Sequence, residues 1–194
     1  MEGIFEPFDA GSVPFAPPFL TYTEGITLWV DDLRCEVRHV GSPAHTTNDS
    51  IVWVPERPVL FAGDLLFWGG TPFLLSGSIE GAARVPTDVI EPLGAKTIVP
   101  GHGPVCGPEA IAPTLRYLRF VQQVARDGVA AGLSPLDAAR EANLGEFAAW
   151  SESERLAGNL HRAYAEVRGG AVDTAAAFRD MVTLNGGRPL HCRA

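Results

Sequence analysis

Three short segments carry the side chains of this chain best placed for metal or acid–base chemistry. They are His45 in PAHTTNDS (residues 43–50), Asp64 in FAGDLLF (residues 61–67) and His102 in VPGHGP (residues 99–104). An imidazole in a polar loop held by strands can serve as a ligand or a base. A lone loop histidine is, equally, an ordinary surface residue. Asp64 sits inside an apolar run, where a carboxylate is costly unless paired, hydrogen-bonded or metal-bound; its bland alternative is a turn cap bonded to its own backbone. Gly101 and Gly103 flank His102 and permit tight backbone and the close approach of a large ligand, although such a unit can also be a plain turn. Together the three are more specific. Each is expected at the C-terminal end of a strand, and they are separated by 19 and 38 residues. Zinc takes histidine nitrogen and aspartate oxygen, and catalytic zinc keeps one position open for water. Two-metal hydrolases share a carboxylate between the ions and divide the histidines between them.

The scaffold for these side chains must come from 194 residues, enough for one domain or one and a half with a sizeable core. Hydrophobic residues make up 46% and charged residues 20%, an ordinary globular balance. A net charge of −8 disfavours nonspecific binding to nucleic acid or anionic membranes. No apolar run is long enough to span a bilayer, and MEGIFEPFDAG lacks the basic and apolar regions of a signal peptide. Cys35, Cys106 and Cys192 are scattered without a CxxC pair, which argues for a reducing compartment. The expected location is cytoplasmic. No GxSxG elbow, GxGxxG turn or phosphate loop offers a rival chemistry.

Along the chain, residues 1–25 are rich in Pro and Phe and read as an extended lead-in whose aromatics pack on something. Residues 26–30 and 34–40 read as two strands about an Asp31-Asp32 turn, the second alternating Cys35, Val37 and His39 against Arg34, Glu36 and Arg38. Residues 51–54 and 59–63 flank PERP as a hairpin. Residues 67–81 read as a Gly-rich loop, 86–93 as a short helix with Pro86 in its first turn, and 97–100 as a short buried strand.

The remainder is helical by pattern. Residues 108–131 carry Leu115, Leu118, Val121, Val124 and Ala125 at helical spacing. Ser134-Pro135 is an N-cap and first-turn pair, Ser151 with Glu154 is a capping-box pattern, and Asp173 or Thr174 opens a last helix ending near Asn185-Gly186-Gly187. The organisation is a lead-in (1–25), a strand-rich segment (26–110) and a helical extension packed on the same domain (111–194).

The three motifs, in this order and spacing, resemble the last three metal-ligand motifs of the metallo-β-lactamase superfamily, over roughly residues 26–110. That resemblance implies an α+β fold of the αββα type. It also implies zinc, one or two ions, with His45 on the first metal, Asp64 bridging both and acting in catalysis, and His102 on the second. The family's first motif, His-x-His-x-Asp-His, is absent from the chain. His39, the only histidine upstream of His45, reads as a strand residue. His161 reads as a packing or surface residue, and His191 beside Cys192 as part of a tail able at most to chelate metal adventitiously. The helical tail, with LRYLRFVQQVA and NLHRAYAEV, is further similar to actinobacterial hydrolases and cyclases of polyketide pathways.

The expected function is therefore a metal-dependent hydrolase or polyketide cyclase-like module. Metal-activated water would attack a small acyl, ester, thioester or polyketide substrate, with Phe73, Leu74, Leu75 and Ile79 of the Gly-rich loop lining the cleft. It is expected to be incomplete without an N-terminal half. The alternatives are a non-catalytic assembly protein or a fragment of a larger hydrolase. One sheet of a sandwich without its mate would expose an apolar face, for which Val52, Val54 and Leu60 are candidates. The expected partner is a second copy in a homodimer or a separate N-terminal half, besides a small-molecule substrate.

Overall fold

A computed structural model of the chain describes residues 13–190. Strands β1 (Gly25–Val30), β2 (Leu33–His39), β3 (Ser50–Val54), β4 (Val59–Phe67) and β5 (Thr97–His102) form one sheet in sequential order. The first four pair antiparallel, and β5 joins β4 in parallel. Asp31 turns β1 into β2 with a left-handed φ of 55°, a conformation that Asp tolerates better than most residues. A parallel pair cannot be closed by a tight turn. Residues 68–96 accordingly cross over between β4 and β5, carrying α1 (Ile79–Val85). Helices α2 (Ile111–Ala130), α3 (Pro135–Glu141), α4 (Arg155–Arg168) and α5 (Thr174–Leu184) follow. The mixed sheet with flanking helices is the expected α+β arrangement.

The two faces of the sheet differ. Trp53, Leu60 and Ile98 lie side by side on β3, β4 and β5 and are buried in one cluster with Ile79, Leu115, Leu118, Val121, Leu156 and Leu160 of the helices. One step along each strand, the alternation of side chains sends the neighbouring row to the opposite face. That row, Ile26, Val37, Val52, Phe61 and Val99, crosses all five strands in register. It is apolar throughout, and Phe61 is 46% exposed. Leu28, paired with Cys35, and Val30, paired with Leu33, extend the same face and are also exposed. An apolar sheet face is open, as expected. The residues differ in part: Leu60 is fully buried on the helix side and Val54 is buried as well.

Other local expectations divide similarly. Ser134 and Asp173 cap their helices, accepting from the amides of Asp137 and Ala176. Ser151 does not cap α4. Its carbonyl accepts from Thr71 N and its amide donates to Gly69 O, so it belongs to a bridge with the crossover. Residues 79–81, read as the end of the Gly-rich loop, form the first turn of α1. In the lead-in, Phe15 and Phe19 are exposed rather than packed; residues 1–12, and His191 with Cys192, lie outside the described residues. Among the described residues no helix is long and apolar enough to cross a membrane.

Candidate metal-binding site

His45 lies in the turn between β2 and β3, six residues past the end of β2. The turn is organised by Asp49, a buried residue whose carboxylate accepts from Ala44 N (3.2 Å), Thr46 N (2.9 Å) and Thr46 Oγ1 (2.8 Å). An aspartate bonded to nearby backbone in this way fixes a loop without regular structure. Sequence reasoning passed over Asp49; its position four residues after His45, within a polar turn, was the available signal.

Asp64 is inside β4 rather than at its end. The β4–β5 register shifts on both sides of Gly63, which has a φ of 54°. A bulge of this kind re-aims the side chains beside it. The Asp64 side chain keeps 35% exposure although Leu65, Leu66 and Phe67 follow it into the core. His102 is the last residue of β5, and its carbonyl accepts from Trp68 N at 3.0 Å.

The flanking glycines serve the protein's own backbone. A Cβ on Gly101 would collide with Asp64 Oδ1, and one on Gly103 with the Trp68 carbonyl. Gly103 also has a φ of 94°, which a side chain would strain. The close approach expected of a ligand is thus made by β4 and by Trp68.

These elements bring the three residues together. His45 Nε2 lies 3.3 Å and His102 Nε2 3.7 Å from the same oxygen, Asp64 Oδ2. Donors around one tetrahedral ion at about 2.0–2.1 Å sit roughly 3.3 Å apart, so the spacing suits ligands that share a metal or a bridging carboxylate. His45 Nδ1 is buried without a hydrogen-bond partner among the described residues. Even so, no group of three or more His, Cys, Asp or Glu side chains among the described residues is arranged to hold an ion unaided. The trio fits one edge of a metal centre and does not complete one.

The other described histidines, His39 and His161, do not join this contact. His39 Nε2 is buried on β2 without a hydrogen-bond partner among the described residues, and His161 pairs with Asp180 at 2.7 Å, tying α4 to α5. Cys106 is free, and burial, reinforced by Glu109, raises its thiol pKa above the ordinary value. It is therefore a poor thiolate ligand or nucleophile at neutral pH.

The expected substrate-facing side chains do not face outward. Leu74, Leu75 and Ile79 are buried in the core, and Phe73 packs against it. The segment that carries them is instead held along α4. Arg155 donates to Thr71 O (3.0 Å), and Asn159 donates to Pro72 O (2.8 Å) and accepts from Leu74 N (2.9 Å). Arg162 donates twice to Leu75 O (3.1 and 2.9 Å). Glu166 accepts from Ile79 N (2.8 Å) and Glu80 N (3.2 Å).

With this geometry in view, the chain can be set beside known proteins. Residues 21–102 match the family model of the metallo-beta-lactamase superfamily. Similar solved structures include a metallo-beta-lactamase from Pontibacter korlensis, at 23% identity and TM-score 0.49, with 54% of this chain and 50% of that chain covered. They include the DIM-1 metallo-beta-lactamase exposed to ceftazidime, at 25% identity and TM-score 0.44, covering 50% of this chain and 45% of that one. The inverting sec-alkylsulfatase Pisa1 from Pseudomonas sp. shares the fold over 83% of this chain and 28% of its own, at 18% identity and TM-score 0.60. The chain spans about half the length of the metallo-beta-lactamases it matches. The sheet, the turn that bears His45 and the strands that bear Asp64 and His102 all fall within the segment, residues 21–102, that matches the model of the metallo-beta-lactamase superfamily.

Proposed function

We propose that this chain supplies one side of the metal centre of a metal-dependent hydrolase. The observation that carries the reading is the convergence of His45 Nε2 and His102 Nε2 on one oxygen of Asp64. In this reading His45, Asp64 and His102 would hold the metal, and further donors from outside the described residues would close the site. Zinc is the ion we assign, since a nitrogen and carboxylate donor set suits it. When bound it would activate water and polarise a carbonyl. The assigned substrate is a small acyl ester or thioester, polyketide thioesters included. A fold shared with an inverting sec-alkylsulfatase is compatible with ester-type hydrolysis, as an analogy of fold only.

Elemental analysis of size-fractionated protein tests this reading, with His45→Ala and Asp64→Ala as controls. About one zinc or more per chain, lost in both variants, is the expected result. Absence of metal from every assembled fraction after zinc loading would overturn it.

A second reading is favoured by the open sheet face: the chain is an assembly component, with or without catalysis. The uncharged row from Ile26 to Val99 suits a second β-layer. Either a second copy of the chain or a separate chain carrying the other half of the domain would provide it.

A further inference from the structure

Residues 71–78 have no regular secondary structure, yet Thr71, Pro72, Leu74, Leu75 and Gly77 are buried. Backbone polar groups buried in an irregular segment need partners from elsewhere. The partners come mainly from one stripe of α4, Arg155, Asn159, Arg162 and Glu166, which recur at the spacing that places residues on one helix face. The stripe meets Thr71, Pro72, Leu74, Leu75, Ile79 and Glu80 in sequence order, so the segment runs beside α4 in the same direction over about 16 Å. The far side of the segment lies against the His45 turn. Ser78 N donates to Ala44 O at 2.8 Å, and a Cβ on Gly77 would collide with the carbonyls of Ala44 and His45. A Cβ on Gly81 would collide with Pro43 O.

We propose that α4 is the positioning element for His45. Its polar stripe holds residues 71–80 as a rigid strut, and the strut fixes the main chain of residues 43–45. Asn159 and Glu166 are the positioning residues. Asn159 is fully buried and holds the segment by both a donor and an acceptor, with a further bond from Nδ2 to Tyr117 Oη (3.0 Å). Glu166 reaches from the far end of α4 to the first amides of α1, which Ser78 caps at Gly81 N. The segment thus backs the main chain of the His45 turn. The proposal rests on where His45 sits and not on what it binds, so it stands or falls separately from the zinc reading.

The test uses the full metal-free chain at fixed pH. Glu166→Ala is compared with Glu146→Ala, which removes a carboxylate that pairs with Arg116 on the surface. Amide hydrogen exchange is read at Leu74, Ile79 and Glu80, and imidazole nitrogen and proton signals at His45, with His39 as internal reference. In Glu166→Ala, exchange at Ile79 and Glu80 should accelerate about tenfold or more and the His45 signals should move, while those of His39 stay. Glu146→Ala should change neither. Glu166→Gln keeps one acceptor and should restore the His45 signals in part; it also replaces Glu166→Ala if that variant does not fold. Faster exchange at Ile79 with unchanged His45 signals would show a merely structural cap and overturn the proposal, as would unchanged exchange.

Discussion

The ring of Phe67 lies flat against the imidazole of His102, with centroids 4.7 Å apart and planes within 6°. Phe67 is 1% exposed and has the Arg155 guanidinium 6.0 Å from its ring centre. One face of a site imidazole is therefore set by the core. Phe67→Ala should cost about 3–5 kcal/mol, while Phe67→Leu, closer in volume, should cost about 1–2 kcal/mol. Urea midpoints measure the loss. The His102 ring signals should shift in Phe67→Leu even where the fold is intact.

Gly101 tests how closely β5 must approach Asp64. Gly101→Ala would drive a methyl group into Asp64 Oδ1. A loss of about 1–3 kcal/mol is expected from such overpacking, together with displacement of Asp64 from the two imidazoles. Thermal unfolding and retained zinc, measured side by side, separate the two effects. Retention at the wild-type level would show that the carboxylate can move without consequence.

Asp49 should matter to the His45 turn out of proportion to its size. Asp49→Ala leaves the Ala44 and Thr46 donors without this acceptor, a loss of about 2–3 kcal/mol for bonds to a buried carboxylate. Asp49→Asn keeps one acceptor oxygen and should lose about half as much. Denaturant titration of the two variants checks the order.

These residues show what was legible in the sequence and what was not. Strand β2 alternates cleanly, and Ser134-Pro135 and Asp173 cap helices through neighbours three residues away; such local signals survive folding. The convergence of His45, Asp64 and His102 was foreshadowed because each carries distinctive local context. Asp64 was misplaced to a strand end because a register shift between two strands leaves no mark on either strand alone. Helix α1 was missed because it is short, contains Gly81, and has its first two amides held by Glu166, more than 80 residues away. Ser151 mimicked a cap because its bridge partner, Gly70, is equally distant. The apolar residues of 71–79 suggested a substrate wall, since their burial depends on polar side chains from α4.

Tyr117 makes the fold sensitive to alkali. It is fully buried, and desolvation raises its phenol above the ordinary value of 10.0, although Asn159 and Arg155 partly oppose the shift. The folded chain then holds this proton more tightly than the unfolded chain. The contribution is fully present below about pH 10 and falls as pH rises from there toward the folded value. Stability measured in urea should decline above about pH 10. Tyr117→Phe should flatten that decline, while lowering stability at neutral pH because Asn159 Nδ2 loses one of its two acceptors.

The open sheet face predicts association. Sedimentation should show concentration-dependent assembly of the chain alone or, failing that, capture of a chain bearing the other half of the domain. Phe61→Asp places a charge in the middle of the apolar row and should abolish either, with circular dichroism unchanged. A monodisperse monomer at micromolar concentration that binds no such chain would remove the assembly reading.

The parallel β4–β5 pairing also has a consequence in time. His45 and Asp64 leave the ribosome early, yet Asp64 meets His102 only after the whole crossover has been made. The segment flanking His45 gains its partners only when α4 emerges, more than 50 residues later still. Such long-range closure is slow compared with hairpin formation. During synthesis the β1–β4 meander, with the outer edge of β4 still unpaired, therefore waits for the second half of the chain. A nascent chain stalled before residue 155 would have residues 71–80 without the α4 side chains that hold their backbone, and buried polar groups left open at that stage are ones a chaperone could shield.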